Sequence, residues 1–390
     1  MNRMDVPITY NIRNLIERKG TTLMTAVGIG LTVAVLVTSV SLTAGLATVF
    51  ASSGNPRQLL VLRKGTDAEL SSTISTETYQ IVRRLPGIAT TLDGQPMVSP
   101  EALTVVNLPS VDSPEGINVT IRGMLPIGLT MRSFTIEQGR TLEPGLRQVI
   151  VGEAIARRYP DARIGRKLRF GRGVWEVIGV FRAGDSAANS EIWADLNQLR
   201  GDFEQQGGSS SLLVRAQSPS ALELLSRQIA DDQRLGSGVI SESAYYAAMT
   251  SSGLPLQILG FSVAVIMAVG SAFAATNTMY AAVARRSKEI GTLRALGFGR
   301  RAILLSFMLE SVFLAMLGGI AGVLLSLPIN GLTTGVGSFS TFSEVAFKFR
   351  VGPGAITGGL AFAAVIGAVG GFLPAWAASK KSVVAAMRDN

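Results

Sequence analysis

Residues Gly20 to Pro56, GTTLMTAVGIGLTVAVLVTSVSLTAGLATVFASSGNP, carry no charged side chain. A helix needs roughly 20 consecutive apolar residues to cross a bilayer, so this run predicts a span from about Thr22 to Ala47. Three more uncharged runs follow, Ser243 to Ala284, Ser311 to Ser343 and Val351 to Ser379. They predict spans over Leu256–Val283, Ala302–Leu327 and Pro353–Phe372, with Pro374 marking the end of the last. The layout is one helix, a charged block, then three helices. This reads as an α-helical membrane protein with four transmembrane helices and a large extracytoplasmic α+β domain between helices 1 and 2. The expected domains are 1–50, an N-terminal amphipathic segment with helix 1; 51–250, the outer core domain; and 251–390, with helices 2 to 4.

Charge placement sets the orientation. Arg57 to Glu242 contains 21 Lys/Arg and 21 Asp/Glu, so the whole net charge of +9 belongs to the membrane part. Arg3, Arg13, Arg18 and Lys19 precede the first span. Arg285, Arg286, Lys288, Arg294, Arg300 and Arg301 lie between the second and third, and Lys380, Lys381 and Arg388 follow the fourth. Short basic loops stay in the cytoplasm. Both termini and the 285–301 loop are therefore expected inside a bacterial cytoplasmic (inner) membrane, with the central block and the short 331–352 loop outside. The basic residues flank spans and form no domain of their own, which argues against a nucleic-acid partner. The first run is too long for a signal-peptide core and is read as an uncleaved signal anchor.

The chain has no Cys and no His. That removes disulfides and thiol chemistry, together with the usual general base and commonest metal ligand. No recognisable nucleophile–base set remains, so an enzyme is the least favoured class, with no cofactor of its own.

Ile8, Ile12, Leu15 and Ile16 recur at helical spacing ahead of the first span, as in a helix lying on the membrane surface. The central block alternates strand-like and helix-like segments. Leu59–Arg63 reads as a strand and Thr76–Leu85 as a helix opened by Ser75. Gln148–Gly152 followed by Glu153–Tyr159 reads as strand then helix, Lys167–Phe170 with Val174–Phe181 as a hairpin, and Pro219–Asp231 as a helix. Gly207 to Ser211 reads as a loop.

The chemistry concentrates after the second span, at RRSKEIGTLRALGFGRR, Arg285 to Arg301. Residues 285–296 can form a short helix with Ile290, Leu293 and Leu296 on one side and Lys288, Glu289 and Arg294 more exposed. Gly297 and Gly299 then free the backbone to re-enter the membrane. A short polar hinged helix suits docking to another protein. Arg285, Arg286, Arg300 and Arg301 read as topology charge. Glu310 is the one acidic residue in a span, roughly 13 Å along a helix from Arg301, and structural pairing is favoured over a proton pathway. Asn277 is expected to make an interhelical hydrogen bond. Gly318 with Gly322, and Gly367 with Gly371, suit close helix packing within the subunit or across a dimer.

The Lys288-Glu289-Ile290-Gly291 loop continuing through Arg294-Ala295 and Gly297, then Leu309-Glu310-Ser311 and Gly318-Gly319 to Gly322, resembles the MacB/FtsX/LolC type of ABC transporter membrane subunit. Pro374-Ala375 through Ala378, with Ala385-Ala386 and Arg388, is similar to that family's closing pattern. Val149–Tyr159, Ile164–Leu168 and Trp175–Val180 resemble segments of its periplasmic core domain. The resemblance implies mechanotransmission, in which ATP-driven motion inside moves the outer domains to drive efflux. It implies ATPase coupling through Lys288, Glu289, Gly291, Arg294 and Gly297. No G-x-x-x-x-G-K-[ST] phosphate loop occurs in the 390 residues, so the ATP is expected on a separate ABC ATPase subunit. Further implied partners are a second permease subunit in a homo- or heterodimer, a periplasmic adaptor and outer-membrane channel, and the lipid bilayer. A LolC/E-like lipoprotein-releasing permease and, less favoured, an FtsX-like regulator of cell-wall hydrolases stay open.

Overall fold

The structure, a computed structural model, describes residues 19–381 except 112, 205–206 and 338–341. The amphipathic pattern at Ile8–Ile16 and the closing residues Ala385–Arg388 lie outside the described residues. The chain separates into two compact units, one of residues 1–44, 254–332 and 349–390, the other of 45–253 and 333–348.

Among the described residues, four helices are long and apolar enough to cross a membrane. The first spans Lys19–Ala51, the second Leu254–Arg285, the third Arg300–Ser326 and the fourth Pro353–Lys380. At 1.5 Å per residue they reach roughly 40–50 Å, more than a hydrocarbon core requires. Their contacts are made by small residues. A Cβ on Gly318 would meet the Ala26 carbonyl at 2.7 Å, and one on Gly322 would strike the Gly30 carbonyl, so the third helix lies backbone-close to the first. A Cβ on Gly367 would come within 2.6 Å of Ala315 Cβ, and Gly371 abuts Ser311, so the same helix packs as closely on the fourth. Hydroxyls add cross-links in place of the hydrophobic drive that lipid withholds. Thr25 pairs with Thr278 and Thr32 with Ser271, both at 2.8 Å, and Ser311 Oγ donates to the Gly367 carbonyl at 2.7 Å. Both glycine pairs therefore serve packing inside the subunit.

Two details differ from the sequence reading. Pro374 does not end the fourth helix; it is buried within a helix that continues to Lys380. Proline lacks an N–H, which leaves the carbonyl four residues earlier, on Gly370, without its helical donor. Thr276 Oγ1 of the second helix supplies that donor at 2.8 Å, the repair that lets proline persist in a membrane helix. Asn277 is exposed, and the interhelical bonds are made by its neighbours Thr276 and Thr278.

The second unit is α+β. Its strands are β1 (Gln58–Arg63), β2 (Ile74–Ser75), β3 (Val98–Leu108), β4 (Ile117–Met124), β5 (Thr135–Gly139), β6 (Gln148–Gly152) and β7 (Lys167–Phe170). They continue with β8 (Gly173–Arg182), β9 (Glu191–Asp195), β10 (Gly208–Ser209), β11 (Ser211–Arg215), β12 (Ser237–Ser241), β13 (Thr333–Gly337) and β14 (Glu344–Lys348). Ten of them form one sheet in the order β12-β1-β11-β3-β4-β9-β6-β8-β5, with β7 paired to β8. Most pairings are antiparallel, but β4–β9 and β6–β8 are parallel. The β7–β8 hairpin closes with Phe170 opposite Gly173, as the Gly171-Arg172-Gly173 turn predicts. Helix Thr76–Val82 is capped by Ser75, whose side chain accepts from the Thr78 N–H. One apolar cluster gathers Val61, Val82, Leu212, Leu225 and Ile229. A second gathers Ile121, Val151, Trp175 and Ile192, and Phe181 stacks on Trp193 beside them.

Residues 207–211, read as a loop, instead form β10 against β2 and open β11, and Ser209 is buried. The 331–352 connection is more than a short loop. Its β13–β14 hairpin belongs to the α+β unit. Ser343 Oγ pairs with Thr120 Oγ1 at 2.6 Å, the Ala346 N–H donates to Ser190 Oγ at 2.8 Å, and Arg158 pairs with Glu344.

Candidate coupling site

The second long helix ends at Arg285, and Arg286 breaks the helical geometry at φ −99°, ψ 18°. A nine-residue loop helix, Ser287–Ala295, begins at once. It stops for a reason readable in the backbone. The Gly297 N–H donates to the Arg294 carbonyl at 3.2 Å and the Phe298 N–H reaches back to Leu293 at 3.1 Å. This paired closure needs a left-handed residue at the turn, and Gly297 supplies it with φ +97°. A side chain there is strained. Gly299 then precedes the third long helix.

One face of the loop helix is packed. Ile290 is buried with Met279 and Val283 of the second long helix, Ile303 and Phe307 of the third, and Ala375 and Ala378 of the fourth. Gly291 is buried beside it. Three polar contacts pin the same side. Arg286 Nη1 donates to Glu310 Oε2 at 2.8 Å, with both side chains almost fully enclosed. Arg294 Nη1 donates to the Ser379 carbonyl at 2.9 Å, and Lys381 Nζ to Ser287 Oγ at 2.8 Å. The opposite face is turned outward: Lys288, Glu289, Thr292, Ala295 and Leu296 are exposed, Leu296 to 65 %. Their spacing of four and then three or four residues puts them along one stripe.

The structure thus rearranges the residues singled out from sequence. Leu296 lies on the exposed side rather than with Ile290. Arg294 is half-buried and bonded inward rather than turned to solvent. Arg286, read as topology charge, is buried and is the partner of Glu310, whereas Arg285, Arg300 and Arg301 are exposed. An eye to pairing could have found Arg286, because a buried carboxylate demands a cation. Several arginines lay within reach, so spacing alone did not choose one.

Sequence reasoning missed a second charged constellation, inside the α+β unit. Arg122 is buried and bonds Glu69 and Glu101 through Nη1 at 2.8 Å each and Glu191 through Nη2 at 2.9 Å. Arg132 takes Glu101 as well, with Nη2 to Oε2 at 2.8 Å. Burial would lower the Arg122 pKa, but the charges of Glu191, Glu69 and Glu101 overcome it and hold the guanidinium ionised. Burial would raise the Glu69 pKa, and Arg122's charge and hydrogen bonds bring it below its usual value. Glu242 behaves oppositely. It accepts the Asn55 N–H at 2.8 Å and lines a cavity of about 320 Å³ with Arg132 and Trp193, and burial raises its pKa.

Comparison with known proteins decides the family. The MacB-like periplasmic core domain family matches residues 22–232, and the FtsX-like permease C-terminal family matches residues 261–383. The chain belongs to the MacB/FtsX type of ABC transporter permease. Among curated relatives of this permease is the macrolide export ATP-binding/permease protein MacB of Agrobacterium fabrum. It is 26% identical over 334 residues, 80% of this chain and 50% of that protein. The uncharacterized ABC transporter permease YknZ of Bacillus subtilis is 25% identical over 306 residues, 70% of this chain and 71% of that one. The permease spans about half the length of the first MacB relative. Among solved structures, the periplasmic region of MacB from Actinobacillus actinomycetemcomitans aligns with a TM-score of 0.38 at 11% identity, over 51% of this chain and 94% of that one.

Proposed function

We propose that this permease is the non-catalytic membrane subunit of an exporter, and that a separate ABC ATPase subunit drives it through the Ser287–Ala295 helix. The observation that carries the reading is the division of that helix into a packed face and an exposed one. A partner grips the exposed stripe, Lys288, Glu289, Thr292 and Leu296. Displacement of the helix passes into the second, third and fourth long helices through Ile290. The basic residues around the stripe favour a cytoplasmic position for it, and in this reading the α+β domain lies outside, where its movement acts on cargo. The MacB relatives combine ATP-binding and permease functions in their names and export macrolides by description, which favours export over lipoprotein release here. Pairing with a second permease subunit, and docking to an adaptor and outer-membrane channel, extend the same reading.

The test is co-purification of the chain with an ABC ATPase subunit co-expressed with it. Lys288→Ala, Glu289→Ala and Leu296→Ala combined should reduce the recovered ATPase, while Arg300→Ala should leave it unchanged. Gly297→Val should also reduce it, because the left-handed turn that ends the helix is lost. Full recovery of ATPase by the triple variant would reduce the helix to a connector.

A further inference from the structure

We propose that Arg286 and Arg294 are positioning residues that divide the transmission: Arg286 ties the loop helix to the third long helix through Glu310, and Arg294 ties it to the fourth through the Ser379 carbonyl. The inference rests on the coupling reading above, and it assigns these arginines to the inside of the permease rather than to the partner. Arg286 sits at the elbow between two helices. Its N–H donates to the Ala282 carbonyl and its own carbonyl accepts the Ile290 N–H, so the elbow is hydrogen-bonded on both sides. Its guanidinium is then committed to Glu310, with only 6 % of the side chain exposed. A charge so enclosed stays only where its partner is in place, so the elbow and the third helix move together. Arg294, two turns along, uses a different chemistry. Its acceptor is a neutral backbone oxygen one residue before the end of the fourth helix. A push on the exposed stripe therefore reaches the two helices through two separable links, one ionic and one not.

The absence of cysteine from the chain makes these links measurable. Spin labels at Leu296→Cys and Leu317→Cys report the loop helix against the third helix. Labels at Leu296→Cys and Val369→Cys report it against the fourth; all three positions are exposed. In the full chain, Arg286→Gln should broaden the first distance distribution more than the second, and Arg294→Gln should do the reverse. The reversed pair Arg286→Glu with Glu310→Arg should restore the first, and Arg294→Lys should restore the second in part, because lysine can still donate to a carbonyl. Recovery of the ATPase subunit should stay unchanged in Arg286→Gln, whereas loss of the exposed stripe should lower it about tenfold, as removal of a binding hot spot does. Unaltered distances in both Gln variants, or failure of the reversed pair to restore the first, would overturn the assignment. So would loss of the ATPase from Arg286→Gln without a change in distances. If the unaltered chain never recovers an ATPase, the coupling reading fails, and the distance measurements still decide whether the two links exist.

Discussion

The two units bury charge in opposite ways. The α+β unit gathers Arg122, Glu101 and Glu191 of its main sheet with Glu69 and Arg132 from flanking segments into one enclosed network. The membrane unit, among its described residues, encloses the single pair Arg286–Glu310 at the foot of the loop helix. The network is redundant: Arg122 holds three carboxylates and Glu101 is shared with Arg132, so one bond can open while the charges keep other partners. The Arg286–Glu310 pair joins the elbow at the start of the loop helix to the third long helix. Redundant charge makes a body rigid; a single pair makes a joint between parts.

Three measurements bear on that contrast, beginning with the largest effect. If the units face opposite compartments, single cysteines at Leu92 and Thr292, both exposed, should label in an all-or-none pattern with an impermeant thiol reagent. Leu92→Cys should label with the inner membrane intact and Thr292→Cys only after lysis; the reverse pattern would invert the orientation.

Next is Arg122→Met. It strands buried carboxylates and should cost about 3–5 kcal/mol, the usual penalty for removing one partner of an enclosed pair. Hydrogen exchange on the full chain should show protection falling in β3, β4 and β9 while the long helices keep theirs. Equal loss in both units would show that the network does not belong to one rigid body alone.

The smallest effect is a pH slope. Glu242 has a raised pKa in the fold, so its contribution is fully present below its ordinary value of 4.5 and is lost as pH rises through the raised one. Glu69 has a lowered pKa, so its contribution is present above 4.5 and lost as pH falls through the lowered one. Glu242→Gln should therefore stabilise the α+β unit relative to the unaltered chain above the raised pKa, with the difference fading toward pH 4.5. Exchange protection measured across that window checks the sign.

Legibility follows the same division. The four spans, their order and the helix between the second and third were readable because an uncharged run of membrane length has few alternatives. Lys288 and Glu289 were correctly placed on the exposed side, and Gly297 at the break, because glycine at a helix end has a local backbone reason. Arg294 and Leu296 exchanged faces because nine residues give the helical period little leverage, and inward bonds to Ser379 depend on a segment about 85 residues away. The Arg122 network was hidden more deeply. Arg122 stands opposite Leu103 on β3 and Trp193 on β9, and Glu101 and Glu191 lie two residues from those positions. They are its diagonal neighbours on both flanking strands, a fact that exists only once strand order and register are known. Pro374 misled for a related reason: the hydroxyl that repairs its missing donor comes from another helix.

The β13–β14 hairpin has a consequence for how such proteins can be recombined. The α+β unit is assembled from two stretches separated by two long helices, and Phe347, Val345 and Ser343 of the second stretch are buried in it. Transplanting residues 45–253 into a relative would set a resident hairpin against an unfamiliar surface, with Thr120, Ser190 and Arg158 facing partners they were not selected beside. The heritable module is therefore discontinuous. Functional chimeras of this permease should require residues 333–348 to travel with the larger stretch, and gene fragments that respect only the linear boundaries should yield mismatched hybrids.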